Sequence, residues 1–335
     1  MDAEILKKNE SSLAGEKISP ESPFAKKIAK TTRIKEALIK YFFAVNGVMA
    51  LVFIILIFIF LFKEGFKALE HIGLLEFLFR SQGSAGGAVQ KIYEWYPTSS
   101  DPKYSLIPLI TGTLVISLPA TIISTIFGVA AGVYLSEVAN PKAKEFLKPV
   151  IELFAGIPTV VLGFVMLVIG ATFFNDLLNP ANRLNAFIAA LGLSFVIVPV
   201  IASLSEDALH SIPDDLRMAA YGLGATKWQT ISRVILPAAF SGVSASIILG
   251  FGRAIGETMI VLMASGNAAN LTFNVFKSVR TMTATIAAEM GEVSHGSDHY
   301  YALFFIGIVL FTITFILNLI AEIIINKMRK KNRFS

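Results

Sequence analysis

The chain of 335 residues contains no cysteine and few charged residues. The absence of cysteine excludes disulfides, thiolate metal sites and a cysteine nucleophile. Charged residues make up 16% of the chain and hydrophobic residues 54%, a balance too apolar for an ordinary soluble domain. The composition therefore predicts an integral membrane protein.

Long uncharged runs locate the predicted spans. Each run is about as long as the roughly 20 residues that a membrane-spanning helix needs. The runs cover residues 41–62, 104–136, 153–175, 184–205, 234–252 with a continuation over 258–276, and 300–321. We therefore predict an all-α polytopic membrane protein with six transmembrane helices.

The distribution of basic residues predicts the orientation in the membrane. Of the Lys and Arg residues in the loops between these spans and in the two tails, 20 fall in one alternating set and 8 in the other. Cytoplasmic segments carry the excess of Lys and Arg, so both termini are expected in the cytoplasm. This bias and contact with anionic lipid explain the net charge of +5, and we expect no nucleic-acid partner.

The same runs divide the chain into parts. Residues 1–35 are expected to form a cytoplasmic tail without periodic structure, and 36–103 the first transmembrane helix with an outer amphipathic segment. Residues 104–326 form the predicted transmembrane core, which includes a cytoplasmic loop at 205–237. A basic cytoplasmic tail at 327–335 completes the chain.

The cytoplasmic loop carries signals for short helices joined by a tight turn. Ser205 is placed to cap a first helix, and Pro213 with two following acidic residues is typical of the start of a second. Gly224 follows the end of that helix, and Thr226 with Gln229 forms a capping box for a third. One side of the loop is apolar, with Leu216, Ala219, Ala220 and Leu223. It either docks a protein partner or packs on its own bundle.

A stripe of hydroxyl side chains runs along the second predicted span. Thr113, Ser117, Thr121 and Ser124 recur at helical spacing and share one face. Such a stripe can line a polar path, which makes Thr113, Ser117 and Thr121 candidates for contact with a translocated solute. The alternative is close packing between helices, the commoner use of small hydroxyl residues in membranes.

The cytoplasmic loop resembles the signature of the permease subunits of bacterial ABC importers, which reads E-A-A, three residues, Gly, nine residues, I-x-L-P. The matching positions are Met218, Ala219 and Ala220, then Gly224, then VILP ending at Pro237. Methionine stands where the signature has glutamate. The resemblance implies that the helix before Gly224, which also carries Asp215 and Leu216, docks in a cleft of an ATP-hydrolysing subunit.

Longer segments are similar to the PstC-type permeases of bacterial phosphate importers. The similar segments are 112–137, 154–164, 249–267 and 283–292, and they occur in the same order. This resemblance implies a type I ABC importer permease fold and phosphate as the substrate. The implied partners are a homologous PstA-type permease, two PstB-type ATP-binding subunits and an extracytoplasmic phosphate-binding protein.

The same resemblance implies that ATP and Mg²⁺ belong to the ATPase subunits. The sequence contains no G-x-x-x-x-G-K-[ST] pattern, and GLGATKW at 222–228 does not match it. We therefore expect no enzymatic activity, cofactor or metal in this chain. Two alternatives stay open: a permease for another oxyanion such as sulfate or molybdate, and a membrane protein that docks an ATPase without carrying solute.

Arg253 and Glu257 lie four residues apart within the fifth predicted span, in the string GFGRAIGETM. A charge at bilayer depth costs roughly 2.5–3.5 kcal/mol, so it requires a function or a partner. On a continuous helix the two side chains would share one face. We expect Arg253 to contact the translocating phosphate through its planar fork of donors, with Glu257 holding the guanidinium when no anion is bound.

Two other interpretations of this pair stay open. The pair could be a self-neutralising ion pair that serves helix packing, although arginine before glutamate is the less favourable order along a helix. Glu257 could instead carry a proton in a secondary transporter, which would need neither ATP nor partner subunits.

Overall fold

The computed structural model describes residues 23–83 and 89–332. The chain divides between Phe60 and Leu61 into two compact units. The described part of the first unit is helical throughout, and its side chains from Lys35 to Phe60 are all exposed. The second unit holds all the other helices and both small sheets of the described chain.

Fourteen α-helices and three π-helical turns (Tyr134–Val138, Met166–Gly170 and Ile231–Ile235) lie within the described residues, and we number the α-helices in chain order. The first seven are α1 (Pro23–His71), α2 (Leu74–Leu78), α3 (Ile107–Val133), α4 (Pro141–Ala155), α5 (Thr159–Val165), α6 (Ala171–Leu178) and α7 (Ala186–His210). The others are α8 (Asp214–Gly222), α9 (Lys227–Thr230), α10 (Leu236–Ala238), α11 (Phe240–Gly256), α12 (Met259–Ala264), α13 (Met282–Glu289) and α14 (Asp298–Asn332).

Five stretches of the described chain are long and apolar enough to cross a membrane. They are Lys35–His71, Ile107–Val138, Thr159–Leu178, Ala186–His210 and Asp298–Ile323. A sixth candidate consists of Lys227–Ala238 and Phe240–Gly256, which meet at an angle of 69°. Each of the six predicted spans therefore has a counterpart, and the fifth is bent and interrupted.

The structure corrects several boundaries that the sequence predicted. Residues 23–35 of the predicted tail are helical and continue directly into the first span, and 1–22 lie outside the described residues. Ser205 does not cap a helix, because it lies inside α7 with a fully buried side chain. The continuation of the fifth span over 258–276 is helical only to Ala264.

Two small antiparallel hairpins are exceptions to the predicted all-α architecture. Strand β1 (Arg80–Gly83) pairs with β2 (Val89–Ile92), and β3 (Trp95–Tyr96) pairs with β4 (Lys103–Tyr104). Both lie between α2 and α3, in the segment predicted to be outside the membrane. They leave the helical class of the fold unchanged.

The outer segment after the first span packs on the protein itself. A Cβ on Gly65 would lie 2.4 Å from Cδ1 of Ile308, so α1 and α14 touch closely there. Phe77 of α2 is 1% exposed and packs against Phe305 of α14, with 4.4 Å between ring centroids and 34° between the ring planes. The amphipathic segment therefore contributes to a hydrophobic core, where the sequence had predicted a helix lying along the membrane surface.

Helices α3 and α7 form the centre of the second unit. Gly128 of α3 allows the close approach, since a Cβ there would lie 2.8 Å from Cβ of Ile201. The hydroxyl of Ser124 donates across the interface to the carbonyl of Ser194, at 3.2 Å. Small and hydroxyl-bearing residues thus hold the two helices together, as expected where lipid gives no hydrophobic drive for helix association.

Candidate functional site

The fifth span is interrupted at Glu257. Helix α11 ends at Gly256, Glu257 is extended with ψ 134°, and α12 begins two residues later. The Glu257 Oε1 atom accepts hydrogen bonds from the backbone N–H groups of Thr258 and Met259, each at 3.1 Å. The predicted pairing of Arg253 with Glu257 on one helical face is therefore wrong, because the carboxylate caps the start of α12.

The backbone at the interruption is hydrogen-bonded to a neighbouring helix. The hydroxyl of Thr283 in α13 donates to the carbonyl of Glu257 at 2.8 Å. Backbone groups freed by a break within a membrane must find partners inside the protein. The glycine-rich sequence before the break has low helix propensity, and Thr283 supplies a donor at the position where the helix stops. The interruption of the span is therefore stabilised by a specific contact with α13.

Arg253 lies in the last turn of α11, with an exposed side chain. Its position is thirteen residues after Phe240, which places it about 20 Å along the helix from the cytoplasmic end. None of the ion pairs and hydrogen bonds among the described residues involves its guanidinium. A cation at the carboxyl end of a helix is favourable, yet this one has no counter-ion within residues 23–83 and 89–332.

The earlier turns of α11 pack tightly on α7. A Cβ on Gly242 or Gly250 would lie 2.5 or 2.9 Å from a side-chain atom of α7. Ser246, between them, hydrogen-bonds the hydroxyl of Ser205 at 2.8 Å. By contrast, a Cβ on Gly256 would meet nothing within 4 Å. The last turn of α11, at Arg253 and Gly256, is therefore open among the described residues.

The hydroxyl stripe of α3 is buried. Thr113 accepts a hydrogen bond from the backbone N–H of Met282 at 3.2 Å, and Thr121 donates to the carbonyl of Ser117 at 2.7 Å. Thr113, Ser117 and Thr121 are 3%, 1% and 8% exposed. The packing interpretation accounts for these positions, and contact of the three residues with a solute stays a prediction. The Ser117 Oγ atom is buried without a partner among the described residues.

The cytoplasmic loop has the turn chemistry that the sequence predicted. Pro213 and the acidic first turn precede and begin α8, as expected. Gly224 follows the helix with φ +81°, a conformation that glycine adopts at little cost. Both hydrogen bonds of the capping box between Thr226 and Gln229 are present at the start of α9. These predictions are confirmed.

An apolar patch lies on the exposed side of this loop. Its members are Leu216, Met218, Tyr221 and Leu223, which are 43%, 69%, 44% and 90% exposed. Trp228 beyond the turn is 70% exposed and was not predicted to belong to this surface. Among the other residues predicted for docking, Asp215, Ala219, Gly224 and Pro237 are exposed, whereas Ala220 is 7% exposed and faces the protein. Large exposed apolar side chains grouped in this way on one short segment indicate an interaction site.

Ion pairs join the cytoplasmic ends of the helices. Glu206 of α7 has a fully buried carboxylate that pairs with Lys144, at 2.6 Å, and with Lys148, both on α4. The hydrogen bond to Glu206 raises the pKa of Lys148 above its ordinary value. Glu137, at the end of the second span, pairs with Arg217 of α8 at 2.7 Å. Sequence reasoning missed these pairs because their members lie more than fifty positions apart and share no local motif.

The outer end of the described bundle contains a cavity of about 640 Å³. Glu289 of α13 lies in its wall and accepts hydrogen bonds from Trp95 Nε1 at 3.0 Å and from Arg280 Nη1. His299 Nε2 lies 2.9 Å from the same carboxylate. The Glu289 carboxylate therefore links the β3–β4 hairpin to α13 and α14. No group of acidic and histidine residues with metal-binding geometry occurs in the described chain.

Comparison with known proteins gives a family match over most of the predicted core. Residues 125–330 match the family described as the inner membrane component of binding-protein-dependent transport systems. The chain is 37% identical over 222 residues to the probable ABC transporter permease protein YqgH of Bacillus subtilis strain 168. That alignment covers 66% of this chain and 72% of the relative.

Two further comparisons concern a phosphate permease and a solved structure. The chain is 30% identical over 247 residues to the phosphate transport system permease protein PstC of Mesorhizobium japonicum, covering 68% of this chain and 75% of the relative. A bacterial alginate ABC transporter, solved with an alginate-bound periplasmic protein, is similar in fold, with a TM-score of 0.55 at 16% identity. That match covers 87% of this chain and 94% of the solved one. The fold class and the resemblance predicted from the motifs are confirmed.

Proposed function

Because the chain belongs to the family of inner membrane components of binding-protein-dependent transport systems, we propose that it is the phosphate-translocating permease subunit of an ATP-driven importer. The chain is a multi-pass protein of the cytoplasmic membrane. Phosphate is the proposed substrate because relatives about 30% identical over roughly 70% of this chain are phosphate transport permeases.

The exposed guanidinium of Arg253 is the observation that carries this proposal. A guanidinium within a span is costly in hydrocarbon, and the chain supplies it with no counter-ion in the described residues. Its open face must therefore be covered by another protein surface or by a water-filled passage. In this proposal, the passage between this chain and a homologous PstA-type permease lies beside Arg253. The guanidinium contacts the phosphate as it crosses.

Glu257 has a different role from the one that the sequence predicted. Since its Oε1 atom is engaged at the start of α12, it fixes the break that ends α11 immediately after Arg253. In this proposal Glu257 shapes the passage and keeps Arg253 at the end of a rigid half-helix. The negative charge nearby limits the affinity of the site, as conduction requires that the anion also leave.

Energy for transport comes from other subunits in this proposal. The apolar patch of Leu216, Met218, Tyr221 and Leu223 docks on one of two PstB-type ATPase subunits, which hold ATP and Mg²⁺. A phosphate-binding protein delivers the substrate at the outer end. This chain then contributes the path and the mechanical link, and it performs no chemical step itself.

The experiment that tests the proposal is stimulation of ATP hydrolysis in the reconstituted complex. The complex of both permeases and the ATPase is placed in liposomes with the binding protein, and phosphate, sulfate or molybdate is added in turn. We expect phosphate to raise ATP hydrolysis and to accumulate inside the vesicles, with sulfate inactive. Stimulation by sulfate or molybdate alone identifies another oxyanion permease, and hydrolysis without any uptake identifies a protein that docks an ATPase but carries no solute.

A further inference from the structure

Arg217 makes the densest set of polar contacts in the cytoplasmic loop. Its guanidinium grips Glu137 with two bonds, from Nη2 to Oε1 at 2.7 Å and from Nε to Oε2 at 3.2 Å. Its Nη1 atom also donates to Asp214 Oδ1 at 3.0 Å. Two backbone carbonyls complete the set: Ile212 accepts from Nη1 at 2.6 Å and Leu209 from Nη2 at 3.0 Å.

These contacts join three helical elements at the cytoplasmic end of the bundle. Glu137 lies in the π-helical turn Tyr134–Val138 at the cytoplasmic end of the second span. Leu209 is in the last turn of α7, and Arg217 itself belongs to α8. One side chain therefore ties α8 to the ends of the two helices that form the centre of the bundle.

The Arg217–Glu137 pair is buried, whereas the Arg217–Asp214 pair is exposed. The Arg217 and Glu137 side chains are 15% and 7% exposed, whereas the Asp214 side chain is 91% exposed. A two-bond pair shielded from water has a fixed geometry, whereas an exposed pair is screened and adds little. Hydrogen bonding to Glu137 also raises the pKa of Arg217 above its ordinary value.

Arg217 faces the bundle, whereas the apolar patch on the same helix faces away from it. Leu216, Met218 and Leu223 are exposed and free to meet a partner. Arg217 lies between the first two in sequence but points inward to Glu137. Ala220 is the one buried apolar residue of this helix. Without the ion pair, little except Ala220 and the chain connections would hold α8 to α3 and α7.

We infer that the Arg217–Glu137 pair is the positioning link that transmits movement of α8 to α3 and α7, and hence couples ATP hydrolysis to opening of the passage. This inference rests on the proposed function. When the docked ATPase subunit displaces α8, a two-bond pair and two carbonyl contacts move the ends of both helices with it. A single flexible contact would let α8 move while the bundle stays in place.

The test compares transport with ATP hydrolysis in the reconstituted complex. Arg217→Lys keeps the charge but loses the planar fork, and Glu137→Gln keeps the shape but loses the charge. Neither changes the apolar patch, so we expect both complexes to assemble and to hydrolyse ATP at a basal rate close to wild type. We expect the phosphate transported per ATP hydrolysed to fall about tenfold, within the usual range of coupling between sites.

Lys148→Met is the matched control. It breaks the ion pairs with Glu206 and Asp207 at the same cytoplasmic end, and Glu206 keeps Lys144 as a partner. The Lys148 pair joins α4 to α7 and does not touch α8, so the ratio of transport to hydrolysis is expected to stay at the wild-type value. A fall in that ratio for Lys148→Met equal to the fall for Arg217→Lys would overturn the inference.

Two further outcomes would also overturn it. A wild-type ratio in both Arg217→Lys and Glu137→Gln would mean that α8 moves the bundle by another route. Failure of both conservative variants to assemble would mean that the pair serves docking or folding. The wild-type complex tests the proposed function separately: if another oxyanion stimulates it and phosphate does not, the substrate is wrong, and the link is measured with that anion.

Discussion

Replacement of Arg253 tests most of the reasoning about the passage. The side chain is exposed and makes no ion pair or hydrogen bond within the described chain, so its removal leaves no buried partner unsatisfied. Arg253→Ala and Arg253→Lys should therefore fold and assemble like the wild type. Any loss of transport then reports on the contact between the guanidinium and the anion.

The expected magnitude follows from the hydrogen bonds that each side chain offers. A guanidinium presents two parallel donors to phosphate, and a hydrogen bond to a charged group is worth about 1.5 kcal/mol or more. Arg253→Ala loses about 3 kcal/mol, which corresponds to about 150-fold in the rate at low substrate. Arg253→Lys keeps the charge but replaces the two parallel hydrogen bonds to the anion by a single one, so we expect a fall of about tenfold.

The assay is the initial rate of phosphate uptake by proteoliposomes that contain the whole complex, with the binding protein outside and ATP inside. Lys142→Met removes an exposed charge from α4, far from α11 in sequence, and serves as the control with an unchanged rate. The reasoning is refuted if Arg253→Ala transports phosphate at the wild-type rate. It is also refuted if Arg253→Ala and Arg253→Lys lose activity equally, since the graded loss depends on the donors.

Three further substitutions test the loop and the break. Gly224→Ala places a side chain at φ +81° and should destabilise the turn by about 1–2 kcal/mol in thermal unfolding, whereas Gly222→Ala, with equal space and an ordinary φ, should not. Leu223→Ser, at a 90% exposed position, should leave the melting temperature unchanged and weaken co-purification of the ATPase at least about tenfold, since burial of leucine is worth about 1.5–3 kcal/mol. Thr283→Val removes the hydrogen bond to the Glu257 carbonyl and should cost about 1 kcal/mol, whereas Thr283→Ser keeps the hydroxyl and should unfold like the wild type.

Local signals in the sequence predicted the cytoplasmic loop well. Pro213, the capping box of Thr226 and Gln229, and Gly224 each act through neighbours within four residues. The structure reproduces all of them, because turn and cap chemistry is determined by short-range backbone geometry. Ser205 was the exception, since a capping residue and a buried interhelical hydroxyl look alike in sequence.

The break at Glu257 could not be read from hydropathy or spacing. An apolar run with Arg253 and Glu257 four residues apart fits a continuous helix as well as an interrupted one. The interrupted form is stabilised by Thr283 of another helix, whose hydroxyl donates to the freed carbonyl of Glu257. The glycines of GFGRAIGET were the available hint, because they weaken a helix without fixing where it stops.

The Glu137–Arg217 pair could not be predicted from a single sequence either. Its members lie 80 positions apart, and each looks like a solvated charge near a helix end. Their contact depends on how α3, α7 and α8 pack, which no local pattern encodes. The same holds for Glu289 and Trp95, which lie 194 positions apart.

The most direct test of the central claim uses the absence of cysteine from the chain. Leu249 is 55% exposed and lies one turn before Arg253 on the same side of α11. In the assembled complex, Leu249→Cys should react with a charged, membrane-impermeant thiol reagent during ATP turnover, and phosphate should slow the reaction. Ile55→Cys, on the fully exposed part of α1, is the lipid-facing control and should not react. If Leu249→Cys is as unreactive as Ile55→Cys, or reacts at a rate that phosphate leaves unchanged, the face of Arg253 does not line the phosphate passage.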